Sequence, residues 1–150
     1  MNKFTLMKNI NDYDFQLLNK FTNLLMRNGK KITAIKIINN VLHHIKIEKK
    51  QNPINIFNIA ILNAQPILTI KTKKIRAHSY QIPTEITPTK QKIIALKWLI
   101  ENAQKRNEKS IVEKLKSEII DTFEQRGTTI QKKIQLHKLA EANRIYAKFK

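Results

Sequence analysis

A change of hydrophobic period between Ile67 and Ile86 constrains this chain more than any other feature. Leu68, Ile70 and Thr72 alternate with Thr69, Lys71 and Lys73, and Tyr80, Ile82, Thr84 and Ile86 alternate again after Arg76–Ser79. A period of two places neighbouring side chains on opposite faces of an extended chain. Two such runs joined by a short polar segment predict a hairpin. Pro83 has no amide hydrogen, which restricts its strand to a sheet edge. A lone two-stranded ribbon is marginal in water, so this arm must lie on something. Its basic face suggests that the support is partly nucleic acid.

On either side the period is helical. Asp12 can cap a first helix, whose apolar stripe is Phe15, Leu17, Leu18, Phe21, Leu24 and Leu25. Gly29 suits the left-handed stop after it. Lys30 and Lys31 open a second helix, with Ala34, Ile35, Ile37, Ile38, Val41, Leu42 and Ile45 as its inner face. Two cations there oppose the helix dipole; the start is either a solvated helix end or one that an anion relieves. Asn52-Pro53 starts a third helix that ends before Pro66. After the ribbon, Thr87-Pro88 starts a fourth, with Ile93, Leu96, Leu99, Ile100 and Ala103 inward. Ser110 to Glu113 has the form of a capping box for a fifth, carrying Leu115, Ile119 and Phe123 and stopping at Arg126-Gly127. Thr128 to Lys133 is polar and basic, and a last helix runs through Leu136, Leu139 and Ala140 to Ala147. The expected architecture is mainly α: a single domain over 1–150 of about six helices, with a protruding two-stranded β-ribbon (67–86) between the third and fourth helices. Residues 1–11 form a short polar lead.

Charge narrows the function. Lys and Arg number 29 against 11 Asp and Glu, a formal net charge of +18. Self-repulsion on this scale weakens a compact fold unless a polyanion neutralises it. Nucleic acid is the first candidate and an anionic membrane surface the second. No apolar run approaches the roughly 18 residues of a membrane span. With no cysteine there is no disulfide, thiolate metal site or thiol nucleophile. Two glycines cannot build a phosphate-binding loop of the Gly-rich kind.

Catalytic signals are weak. His43 and His44 are adjacent and so do not share a helix face, and His137 reads as a core or surface histidine. Glu113, Glu118 and Asp121 are expected to pair with Lys109, Lys114 and Lys116. No catalytic residue, metal site, cofactor or small-molecule substrate is expected. The basic residues instead recur in clusters: Lys30 and Lys31; Lys71, Lys73, Lys74 and Arg76; Lys90, Lys92 and Lys97; Lys105 and Arg106; Lys132 and Lys133; and Arg144. Lysine supplies charge without base discrimination, which suits the shape and phosphates of a structured RNA. Tyr80 and Trp98 offer rings for stacking on exposed bases. Each also fits as an aromatic packed within the protein.

The ordered motifs then resemble one family. Leu24-Leu25-Met26, Gly29-Lys30-Lys31 and Ala34 resemble the first motif of small-subunit ribosomal protein seven, bacterial and organellar type. Tyr80-Gln81-Ile82-Pro83-Thr84-Glu85-Ile86-Thr87-Pro88 resembles its central signature. Ala95 to Trp98, Ala103 to Arg106, Lys109-Ser110, Leu115, Glu118, Gly127, Lys132-Lys133 and His137 to Asn143 resemble the family's C-terminal half. The similarity spans Asp14 to Phe149. It implies a non-catalytic ribonucleoprotein component of translation that binds the 3′ major domain of small-subunit rRNA and helps assemble the head. Neighbouring ribosomal proteins are implied partners, with mRNA and exit-site tRNA as further candidates near the mRNA exit. By motif match, RNA contacts fall on the basic residues above, from Lys30 to Lys133, and on Tyr80 and Gln81; Trp98 and Arg144 join them on chemistry. A free basic DNA-binding or nucleoid protein is the alternative.

Two departures stand out. The family carries a glycine pair at the ribbon turn where this chain has Arg76-Ala77. A residue with a Cβ is strained at positive φ, so a longer or differently shaped turn is expected. The family's Arg-rich N-terminal extension is reduced to Met1–Asn11, which weakens anchoring there. Met1 to Phe15 has no signal or transit character, and Ile, Asn and Lys dominate as A/T-rich codons dictate. Both features point to a mitochondrial, organelle-encoded protein, with a plastid or bacterial cytoplasm as alternatives.

Overall fold

Left-handed backbone punctuates the helices. Asn28 (φ 50°) and Gly29 (φ 72°) end the first, Lys50 (φ 52°) the second and Gln125 (φ 58°) the fifth, whereas Gly127 (φ 96°, ψ 174°) lies outside the αL region and precedes the sixth. In αL geometry the amide after a helix turns back onto its last carbonyls, and glycine adopts it without a Cβ clash. At Gly127 a Cβ would also sit 3.0 Å from Asp121 Cβ, so a larger residue there would have to displace that side chain by a few tenths of an ångström.

The computed structural model describes residues 12–149; the short lead Met1–Asn11, where weakened anchoring is expected, and Lys150 lie outside them. Six α-helices are present among the described residues: α1 Asp12–Leu25, α2 Lys31–Lys49, α3 Pro53–Ala64, α4 Pro88–Gln104, α5 Ile111–Phe123 and α6 Thr128–Ala142. Strands β1 Leu68–Ile75 and β2 His78–Glu85 pair antiparallel between α3 and α4, and a 3-10 helix, Arg144–Phe149, closes the described chain. This is the mainly helical architecture with a β-ribbon that the periodicity predicts.

The core is where the helical stripes meet. Phe21 of α1 lies against Phe57 of α3, ring centroids 5.2 Å apart. Ile38, Val41, Leu42 and Ile45 of α2, Ile56 and Ile61 of α3, Leu96 and Leu99 of α4, and Leu115 and Ile119 of α5 complete it. Burying side chains of this size contributes about 1.5–3 kcal/mol each before conformational entropy is subtracted. The α1 stripe is narrower than its spacing suggests: Phe15 is exposed, while Leu17, Leu18 and Phe21 are buried where α1 meets α2, α3 and α4. Asp12 is already helical where the described residues begin.

Caps follow the sequence in part. Asn52 Oδ1 accepts from Ile54 N–H (3.0 Å) and Ser110 Oγ from Val112 N–H (3.3 Å). Lys30 precedes α2 and Thr87 precedes α4 without a side-chain cap. Helix α6 begins at Thr128, earlier than its apolar residues suggest, and ends at Ala142; the chain to Ala147 tightens into the 3-10 helix. The early start has a cause in α5. Glu118 is fully buried, and its Oε1 accepts from Thr129 N–H (3.1 Å), Thr129 Oγ1 (2.6 Å) and Thr128 Oγ1 (3.1 Å). A carboxylate there satisfies orphan amides and complements the dipole of α6.

Candidate nucleic-acid interface

The ribbon is the first component. Its register pairs Lys71 with Ile82, Thr72 with Gln81, Lys73 with Tyr80 and Lys74 with Ser79, and ends at Ile75 with His78. Of the two expectations, a longer or a differently shaped turn, the first does not hold: the turn is two residues, Arg76-Ala77. Arg76 takes positive φ (55°) and Ala77 does not. Positive φ at the first central position matches the right-handed twist of the strands, and the chain accepts strain of about 1 kcal/mol at Arg76 to obtain it. Directly opposed residues share a face. Lys71 and Lys73 thus lie with Tyr80 on one side, and Lys74 with Gln81 on the other. The patch that looks continuous in sequence is a ribbon that is basic on both faces. Lys71, Lys73, Lys74, Arg76 and Gln81 are all exposed, whereas Ile82 and Pro83 are buried at the root. Tyr80 is half-buried against Tyr146 of the 3-10 helix, ring centroids 5.2 Å apart.

The second component is the start of α2. Lys30 and Lys31 are exposed, with no acidic residue in the first helical turn. Lys30 joins Arg27, Thr33 and Gln104 around a cavity of about 310 Å³ floored by Leu25, Ala34 and Ile111. Arg27 stands outside the basic clusters of the sequence, although its place two residues before the Gly29 stop is a usable signal. The third component is the start of α4. Lys92 lies 4.6 Å from the centre of the Tyr13 ring, a cation–π contact, and shares a small cleft with Lys20 and Thr89. Lys90 and Lys97 project from exposed positions of the same helix, and Lys105 is exposed just beyond its end. Seventeen residues separate the α4 ends by roughly 25 Å at 1.5 Å per residue. The basic groups therefore form an extended footprint rather than one pocket.

Other expected contacts are engaged within the protein. Arg106 Nη1 donates to Glu118 Oε2 (2.9 Å) and Asp121 Oδ2 (2.8 Å), and its Nε to Glu108 Oε1 (2.8 Å). Burial alone would lower the guanidinium pKa, but these hydrogen bonds and the Glu108 charge outweigh it, and the net shift is upward. The same contact holds the Glu108 carboxyl below its usual range. Glu118 and Asp121 thus pair with Arg106 rather than with nearby lysines, and Lys116 reaches Glu48 instead (2.7 Å). Lys132 Nζ pairs with Glu101 (2.7 Å) and covers Trp98, 5.3 Å from the ring centre. Lys133 Nζ donates to Asn63 O (2.6 Å), and desolvation lowers its pKa. Arg144 is exposed, 3.4 Å from Glu141. His137 Nε2 accepts from Ile67 N–H (3.2 Å), so its ring belongs to the ribbon root. Burial, then the Lys133 charge, lowers its pKa.

Among the described residues no group of three or more His, Asp or Glu could hold a metal ion, and no helix is long and apolar enough to cross a membrane. The arrangement offers spread positive charge on a rigid helical body with a basic arm. Comparison with known proteins decides between the uses of such a surface. The family described as "Ribosomal protein S7p/S5e" matches residues 2–144, nearly the whole chain. The chain belongs to this family. Relatives include the small ribosomal subunit protein uS7m of Reclinomonas americana, 43% identical over 138 residues (92% of this chain, 87% of the relative). The uS7 proteins of Acholeplasma laidlawii (37% identical, 92% of this chain and 88% of the relative) and Methylococcus capsulatus (36%, 90% and 86%) are similar too. As a member of the S7p/S5e family the chain is a structural protein of the small ribosomal subunit and not an enzyme. The motif resemblance and the family match agree.

Proposed function

We propose that the protein binds the rRNA of the small-subunit head, in the 3′ major domain, and supports assembly of the head from a position near the mRNA exit and exit-site tRNA. The observation that carries this reading is the two-faced basic ribbon. Its exposed Lys71, Lys74 and Arg76 meet no carboxylate among the described residues, whereas Arg106, Lys132 and Arg126 all do. Cations left unneutralised on a protruding arm favour a partner with phosphates on both sides of it, as a folded RNA has and a flat anionic surface lacks. Lys30, Lys31, Lys90, Lys92, Lys97 and Lys105 extend the contact over the body. Arg106, Lys132 and Lys133 contribute by holding the fold beneath these groups. Gln81 lies in the ribbon itself, and Arg144 opens the 3-10 helix that packs on β2. Trp98 is covered by Lys132, which favours a packing role over base stacking. Neighbouring ribosomal proteins complete the environment, and mRNA and exit-site tRNA lie within reach of such an arm.

The mitochondrial ribosome is the proposed location, supported by the A/T-type composition and by a mitochondrial relative, uS7m, at 43% identity. Two measurements test the proposal. Purified protein should bind small-subunit rRNA more tightly than duplex DNA at matched salt; equal affinities would instead favour a nucleoid protein. Peptides of the chain should sediment with the mitochondrial small subunit, and recovery only from plastid or cytoplasmic ribosomes would move the location.

A further inference from the structure

We propose that the C-terminal 3-10 helix is a buttress that fixes the direction of the ribbon before RNA is bound, with Tyr146 as its positioning residue. The inference rests on reading the ribbon as the RNA-binding arm. A sheet of two strands has no third strand to hold it, so the elements packed against it set its direction. Two contacts do so. At the root, Ile67 N–H donates to His137 Nε2 of α6, and α6 packs along β1. Near the tip, Tyr146 meets Tyr80, the third register pair from the turn, at 5.2 Å and an interplanar angle of 51°. His78 stands edge-on to the same Tyr80 ring, 6.5 Å away. Six residues separate Ile67 from Lys73, the partner of Tyr80, so the contacts lie roughly 20 Å apart along the ribbon. Two points that far apart define a direction, where a root contact alone leaves a hinge. Lys71 and Lys73 sit in the span between them.

Tyr146 carries no charge. Its ring acts through Tyr80 on where the lysines point, not on how many there are. Without it, RNA binding must order the outer ribbon, and affinity falls while the electrostatics stay the same.

Four variants of the full chain test this: Tyr146→Ala, Tyr80→Ala, the double variant and Tyr146→Phe. In hydrogen exchange without RNA, Tyr146→Ala should speed exchange from Lys71 to Gln81 and leave α2 to α4 unchanged, with Tyr146→Phe matching the parent. Affinity for small-subunit rRNA should drop about two- to tenfold in each alanine variant and no further in the double, with the salt slope unchanged. Unchanged ribbon exchange overturns the buttress. Faster exchange with unaltered affinity overturns the positioning role, as do additive losses in the double variant, which mean that Tyr80 touches RNA directly. If the parent itself prefers duplex DNA, the rRNA reading fails, and the exchange measurement still decides the buttress.

Discussion

Two regions of this protein are built from the same residue types and behave in opposite ways. Around α5, Arg106 gathers Glu108, Glu118 and Asp121, Arg126 and Lys49 meet Glu124, and Lys116 meets Glu48. Along the ribbon, Lys71, Lys74 and Arg76 have no such acids among the described residues; the carboxylate of β2 is Glu85, back at the root opposite Leu68. The difference shows that a basic residue is not a binding residue until its local acids have been counted. The chain concentrates its few carboxylates where they join α4, α5 and α6, and leaves the excess charge on the arm and on the helix starts.

This contrast can be broken by mutation. The largest effect is expected at the hub. Glu118→Ala removes one of the three carboxylates around Arg106, leaving Glu108 and Asp121, and deprives the buried amide and hydroxyl of Thr129 of their acceptor, so it should destabilise the protein by about 1–3 kcal/mol in urea unfolding. A loss below about 1 kcal/mol would mean that the hub is dispensable.

The start of α2 should behave in the reverse way. Replacing Lys30 and Lys31 by Glu relieves repulsion with the helix dipole and should stabilise the free protein by about 0.3–1 kcal/mol per residue. The same change should weaken binding to rRNA. Binding that is unaltered removes α2 from the interface.

Arg76→Gly isolates backbone strain from charge. Glycine adopts positive φ freely, so hydrogen exchange at the turn should slow by an equivalent of about 0.5–1 kcal/mol, while the arm carries one cation fewer. Faster exchange at the turn would show that the arginine side chain, not the backbone, holds it.

The smallest effect should come from acid. The pKa of His137 is lowered in the folded state, so the unfolded chain binds the proton more readily. Stability then rises with pH between the depressed folded value and about 6.5, and the contribution is complete above that range. On acidification through this window, Nε2 gains a proton and can no longer accept from Ile67 N–H, so that amide should lose protection. His137→Gln should flatten the dependence, and an identical profile in the variant would clear the histidine of this role.

Much of this is legible in the sequence. Local rules find the ribbon, the stop at Gly29 and the Asn52-Pro53 start, because period and turn chemistry act over a few residues; the fifth helix ends at Phe123, ahead of the stop expected at Arg126-Gly127. The partners of Arg106 are not legible. It lies 12 residues from Glu118 and 15 from Asp121, and only the packing of α4 on α5 brings them together. The α6 boundary escapes for the same reason, since its capping carboxylate comes from α5. The turn at Arg76-Ala77 escapes differently. Steric rules forecast avoidance of strain, and strand twist wins.

Reading the ribbon as an RNA-binding arm requires its unneutralised cations to contact phosphates. The direct test is the salt dependence of affinity for small-subunit rRNA, with the parent compared to a variant carrying Ala at Lys71, Lys73, Lys74 and Arg76. The slope of log affinity against log salt should be shallower in the variant by about 0.7–0.9 for each phosphate that the arm no longer neutralises, with an unchanged urea midpoint. Identical slopes in the two proteins would contradict it.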